Sequence, residues 1–140
     1  MIDITNTPIF IQPVIDHVTQ KHHGALVSFI GTVRDNAEGK RVLYLEYETY
    51  PDMARKKLEE ICAEIGNRWH GDVDIVHRVG RIEVGDNAVI IVVGAAHRSE
   101  AFIACQYAID RIKEIVPIWK KEYYEDGSSW IGHLPINTGT

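Results

Sequence analysis

A chain of 140 residues, 45% hydrophobic and 25% charged, suits one domain with its own core and excludes disordered or collagen-like chains. Fifteen Lys and Arg against twenty Asp and Glu give a net charge of −5, which argues against a general nucleic-acid binder; any anion site has to come from a local cluster. The longest apolar runs fall far short of the ~20 residues of a membrane span. Met1 to Thr5 lacks the basic start of a secretory signal. Cys62 and Cys105, the two cysteines, fit no Cys-x-x-Cys spacing, so the expected compartment is the cytoplasm.

In chain order, Ile9 to Gln20 reads as a short helix with Val14, Ile15 and Val18 on one side, closed by Gly24. Ala25 to Ile30 reads as a strand running on through Arg34. Asp35 to Lys40 is a turn or mobile loop, and Val42 to Tyr50 a second strand with hairpin logic. Pro51 suits the first turn of the next helix, whose face carries Ala54, Leu58, Ile61, Cys62, Ile65 and Trp69. Val73, Ile75, His77 and Val79 alternate as a strand, with breaks at Gly80 and Gly85-Asp86-Asn87. Ala88 to Ala96 is β-branched and continuous, the pattern of a central strand buried on both faces. Ser99 is the expected N-cap of a helix to about Val116, where Pro117 stops it. Ile118 to Tyr124 is a further strand, and about 131–140 a tail. The order βαββαβββαβ predicts a single α+β domain over residues 1–140, with about three helices and a mostly antiparallel sheet.

The chemistry concentrates between His97 and Lys121. Five basic side chains (Arg98, Arg111, Lys113, Lys120, Lys121) face three acidic ones there, a local positive excess on an acidic protein. Lys113 shares a helical stripe with Phe102, Gln106 and Ile109, which reads as core-facing. Burying an ammonium is costly unless it is paired or loses its proton, although the last turn of a helix favours a cation. A reversal at Val116-Pro117 would bring Lys120 into the same pocket. The alternative is that Lys113 runs along the helix and ends in water. Arg34, at a strand end after Gly31, offers a planar fork for phosphate or carboxylate; the alternative is an exposed arginine beside a bulge. Residue spacing alone reaches an anion pocket and no further.

Other features carry less. His22-His23 has no third metal ligand at a useful spacing, so the pair reads as helix-end residues favoured by the dipole, and no metal or cofactor is expected. Cys62 and Cys105 read as inert buried thiols. Gly80 and Gly85 lack the Lys-Ser/Thr of a phosphate loop, and there is no Gly-x-Ser-x-Gly elbow.

Several segments together resemble the large, catalytic subunit of molybdopterin synthase. They are Gly24-Ala25, Phe29-x-Gly31-x-Val33-Arg34, Glu46-Tyr47-Glu48-x-Tyr50, Met53-Ala54, His77-Arg78-x-Gly80, His97-Arg98 with Ala101-Phe102, and Asp110-x-x-Lys113-x-x-x-Pro117-Ile118-Trp119-Lys120-Lys121-Glu122. The resemblance implies an α/β-hammerhead fold. It also implies a sulfurtransferase that converts cyclic pyranopterin monophosphate into molybdopterin. Sulfur would come from the thiocarboxylate on the C-terminal Gly-Gly tail of a small ubiquitin-like partner, within a heterotetramer built on a large-subunit dimer. It further implies Lys113 and Lys120 as catalytic, and Thr32, Val33, Arg34, His97, Arg98, Lys121 and Glu122 as substrate-binding. Thr49 departs from the small apolar residue many relatives carry, and the segment Trp130 to Leu134 lacks a basic residue some relatives place there. The rival expectation is a non-catalytic anion-binding module using the same basic pocket.

Overall fold

The strand Asn87–Ala95 (β7) organises the molecule: every residue from Ala88 to Ala95 is buried. A computed structural model describes residues 1–132. In it β7 lies inside a four-stranded sheet, between Asp72–Arg78 (β5) and Ala25–Thr32 (β2), with Ile2–Thr5 (β1) outermost beyond β5. β7 pairs antiparallel with both neighbours, and β1 runs parallel to β5. The helices Pro51–Trp69 (α2) and Arg98–Ile115 (α3) cover one face of this sheet, where Leu58, Ile61 and Ile65 meet Ile75, Ile91 and Val93. Burying each such side chain is worth roughly 1.5–3 kcal/mol. The short helix Ile11–Val18 (α1) covers the other face through Val14 and Val18, against Val76, Ile90 and Val92.

A second sheet packs beside the first. Lys40–Thr49 (β4) lies at its centre. It pairs with Asn36–Ala37 (β3), Gly80–Glu83 (β6) and Ile118–Tyr124 (β8), and β8 carries Ser129–Ile131 (β9) on its far edge. Its core is Val33, Val42, Leu45, Ile82, Ala88 and Tyr124. The α+β class, the three helices and the mostly antiparallel pairing agree with expectation.

The differences have physical reasons. β2 and β4 do not form a hairpin; the tight hairpin is β3–β4, turned by Glu38 and Gly39 at positive φ, and β2 belongs to the other sheet. β5 does not alternate between core and water, because α1 covers its second face and buries Asp74 and Val76 as well. The buried Asp74 carboxylate is satisfied by the Met1 ammonium at 2.5 Å and His17 Nδ1 at 2.6 Å. Ser99 is not the cap of α3. His97 occupies that position in extended backbone, without a side-chain cap. The expected tail begins as a strand at Ile131; residues 133–140 lie outside the described residues.

Gly94 shows why the end of β7 takes a glycine. A Cβ there would come within 2.4 Å of His23 Nδ1, whose ring lies flat over the gap. Gly94→Ala should therefore evict His23 and lower stability by about 1–3 kcal/mol in chemical denaturation, the usual cost of overpacking. An unchanged midpoint would show that the ring does not depend on this gap.

Candidate functional site

Two features position the chemical groups: the end of β2 and the start of β8. β2 breaks register between Gly31 and Thr32, so the bulge turns the chain out of the sheet. Gly31 is filled from its own fold, since a Cβ would meet Val89 Cγ1 at 2.8 Å; the glycine serves strand packing. Val33 is buried in the second core, with its amide on Asp86 and its carbonyl accepting from Gly85. Val33 thus anchors the turn, while Thr32 and Arg34 on either side remain exposed.

After α3, Val116 takes an extended conformation and the chain enters β8 directly. Lys120 pairs across the sheet with Tyr47, and the Gly132 amide donates to the Lys120 carbonyl at 2.6 Å. The Lys120 side chain is half-buried. Burial pulls its amine below the ordinary lysine range, helped by the positive charges of Arg34 and Lys113, while Glu122 pulls the other way. Residues distant in sequence, Arg34, Lys113 and Lys120, are therefore electrostatic neighbours. Among the described residues, none of the three is paired with a carboxylate within salt-bridge distance.

The helical stripe through Phe102, Gln106, Ile109 and Lys113 is not the core face. Phe102, Gln106 and Lys113 are exposed, and α3 buries Ala101, Ala104, Cys105, Ala108 and Ile112 instead. The small residues Ala101, Ala104 and Ala108 let α3 approach the sheet closely, and that turns the larger side chains outward. Burial therefore falls on Lys120 and not on Lys113. Arg111 leaves the basic cluster altogether: it grips Glu64 of α2 with two hydrogen bonds of 3.1 and 3.0 Å, and Tyr107 donates to the same carboxylate. Lys121 projects from the face of β8 opposite Lys120, over the Tyr123 ring, which stacks on Tyr44.

His97 and Arg98 form a separate site. With Gly24, Ala96 and Ser99 they line an open pocket of about 410 Å³ where β7 hands over to α3. Free backbone amides at the first turn of α3 add to the attraction for an anion. This pocket does not merge with the lysine cluster within one chain. The fifteen helical steps of α3 from Arg98 to Lys113 span about 22 Å, and β2, joining Ala25 beside the pocket to Thr32 beside Arg34, spans about 23 Å.

Spacing did not reveal Tyr47. Its hydroxyl is pushed up to about 12, by burial first and then by the Glu122 charge. Its ring stands edge-on to buried His77, 5.2 Å between centroids. Burial lowers the imidazole of His77 to about 4, so it stays neutral at physiological pH. Only the β4–β8 register, set by tertiary structure, puts Tyr47 opposite Lys120. Burial also raises the Cys62 and Cys105 thiols to about 11, in keeping with inert thiols. His22 and His23 are not helix-end residues: α1 ends at Val18, and both rings stand beside Asp72 of β5.

Comparison with known proteins gives a consistent result. The profile of the MoaE protein family matches residues 4–115. The molybdopterin synthase catalytic subunit of Halalkalibacterium halodurans is 56% identical over 130 residues, covering 92% of this chain and 83% of the relative. The crystal structure of molybdopterin synthase from Staphylococcus aureus superposes with a TM-score of 0.88 at 45% identity, covering 93% of this chain and 96% of that one. A Helicobacter pylori complex of subunits 1 and 2 of molybdopterin-converting factor shares the fold, with a TM-score of 0.79 at 17% identity over 99% and 97% of the two chains. With its profile match running from residue 4 to the end of α3, and a relative 56% identical over 92% of the chain, the chain belongs to the MoaE protein family.

Proposed function

We infer that this chain is the catalytic subunit of a molybdopterin synthase, transferring sulfur from a small partner's C-terminal thiocarboxylate to cyclic pyranopterin monophosphate. The observation that carries the reading is the half-buried Lys120 amine held among Arg34 and Lys113. Such a group gives up its proton more readily than a surface lysine and is suited to act as base or nucleophile. Family membership and the likeness to the Staphylococcus aureus synthase support the reaction class. The two raised thiols support an external sulfur source, since neither cysteine offers a ready thiolate.

In this reading the thiocarboxylate sulfur attacks a side-chain carbon of the precursor, and the C–O bond at that carbon breaks. The oxygen departs as water or as a phosphate oxygen, and the tail stays attached as a thioester. Lys120 takes a proton from the water that attacks the acyl carbonyl; the C–S bond to the tail breaks, the tail leaves as a carboxylate, and sulfur stays on the pterin. Lys113 supplies positive charge where the oxyanion develops. Arg34, flanked by Thr32 and held by the buried Val33 turn, binds phosphate or carboxylate and fixes orientation. Glu122 balances the local charge at Lys120, and Tyr47 holds the floor of the site. A partner carrying the tail is consistent with the two-subunit Helicobacter pylori assembly. No helix among the described residues is long and apolar enough to cross a membrane, and the proposed compartment is the cytoplasm.

The two anion-binding regions, some 22 Å apart along α3, become one site when two copies associate so that His97-Arg98 of one copy faces the lysines of the other. The free edge of β2 and the exposed Leu26, Ile30, Phe102 and Ile103 support such an association. Arg98→Ala and Lys120→Ala should each abolish release of dithiolene pterin from precursor and thiocarboxylated partner. Co-expressed at equal levels, the two variants should regain about a quarter of wild-type turnover, because half the dimers hold one intact site of two. No regain would show that the halves do not meet, and an inactive wild type would leave an anion-binding module.

A second measurement addresses Lys120 alone. In isotope-labelled lysine NMR its amine should titrate below the ordinary value of about 10.4, and Lys113→Gln should move it upward. An ordinary midpoint, unmoved in the variant, would remove the electrostatic basis of the proposal.

A further inference from the structure

His22 and His23, in the loop between α1 and β2, meet Asp72 at the start of β5. One ring nitrogen from each imidazole and a carboxylate oxygen of Asp72 all lie within 4.8 Å of one another. His23 Nε2 is 2.7 Å from Asp72 Oδ2, and His22 Nε2 is 3.6 Å from the same oxygen. These distances bracket the ~3.3 Å that separates neighbouring donors around a tetrahedral ion with bonds of about 2.0–2.1 Å. Small side-chain shifts would therefore suffice to take up an ion.

The three donors differ in freedom. The His23 side chain is 2% exposed and seated on Gly94, whereas those of His22 and Asp72 are 72% and 58% exposed. One ligand is thus fixed by the core, and two can close from solvent. A hydrogen bond from His23 to Asp72 accounts for one close pair; it does not account for the second imidazole converging on the same oxygen.

The protons also allow loading. His23 Nδ1 is buried without a partner. Without an ion, Nε2 carries the proton toward Asp72 and Nδ1 keeps a bare lone pair. With an ion on Nε2, the proton moves to Nδ1, again unpartnered. One ring nitrogen goes unsatisfied in either state, so burial of His23 does not oppose metal binding.

We propose that His22, His23 and Asp72 form a divalent transition-metal site of the zinc class, with water completing the coordination on the exposed side. Two imidazoles and one carboxylate suit zinc or nickel and disfavour magnesium and calcium, which prefer oxygen ligands throughout. The ion would tie the α1–β2 loop to β5. Gly24, the next residue, lines the His97-Arg98 pocket and donates its amide to the Ala95 carbonyl. Occupancy would thereby firm one wall of that pocket.

The test uses tag-free protein stripped with a chelator and titrated calorimetrically with zinc chloride. One equivalent should bind per chain, raise the melting temperature and shift the His23 ring nitrogens in NMR, and magnesium chloride should do none of these. His22→Ala and Asp72→Asn alter exposed side chains and should retain the metal-free melting temperature while weakening zinc binding about tenfold or more, since even the loss of a ligand's outer partner costs that much. Absence of stoichiometric binding would overturn the assignment. So would zinc affinity unchanged in both variants, which would place the ion elsewhere.

Discussion

The proposed chemistry rests on three positive charges that, among the described residues, have no carboxylate within salt-bridge distance. Arg34 reaches the site from the bulged end of β2, Lys113 from the last turn of α3, and Lys120 from β8. Left in water, three such groups would separate and be screened. The fold prevents it. Val33 is locked in the second core, Ile112 and Val116 lock the end of α3, and the β4–β8 ladder locks Lys120 against Tyr47. Burial, with a smaller push from Arg34 and Lys113, lowers the Lys120 amine, and in the proposed reaction that is what makes it useful.

The same scaffold sets the distance between the two proposed anion sites. α3 and β2 lie against each other, each about 22–23 Å long between its two functional ends. Neither can shorten without breaking the first core. The His97-Arg98 pocket and the lysine cluster are therefore fixed at opposite ends of one rigid layer, and association of two chains becomes part of the catalytic proposal.

Much of the fold was legible in residue patterns. The β-branched run Ala88 to Ala96 marked the central strand, Pro51 and Pro117 marked a helix start and stop, and Ile118 to Tyr124 was found at its observed bounds. Short strands without hydrophobic pattern, β3 and β9, were not visible, because they exist only through pairing with β4 and β8. The candidate site could be proposed from the sequence as a set of residues and not as an arrangement. Periodicity placed Lys113 on an apolar stripe, but the alanines on the neighbouring stripe pack closer and win the core. Asp72 beside His22-His23, Glu64 on Arg111 and Tyr47 opposite Lys120 are contacts across forty-seven to seventy-three residues of chain, which no local spacing encodes.

The central claim is that Lys120 works as an amine able to lose its proton, and not as a fixed positive charge. Single-turnover sulfur transfer by Lys120→Arg, set beside Lys120→Ala, separates the two roles most directly, because a guanidinium keeps its charge throughout the accessible pH range. The account predicts that the arginine variant is as slow as the alanine variant, with the precursor still bound. Recovery of most of the wild-type rate by arginine would contradict it.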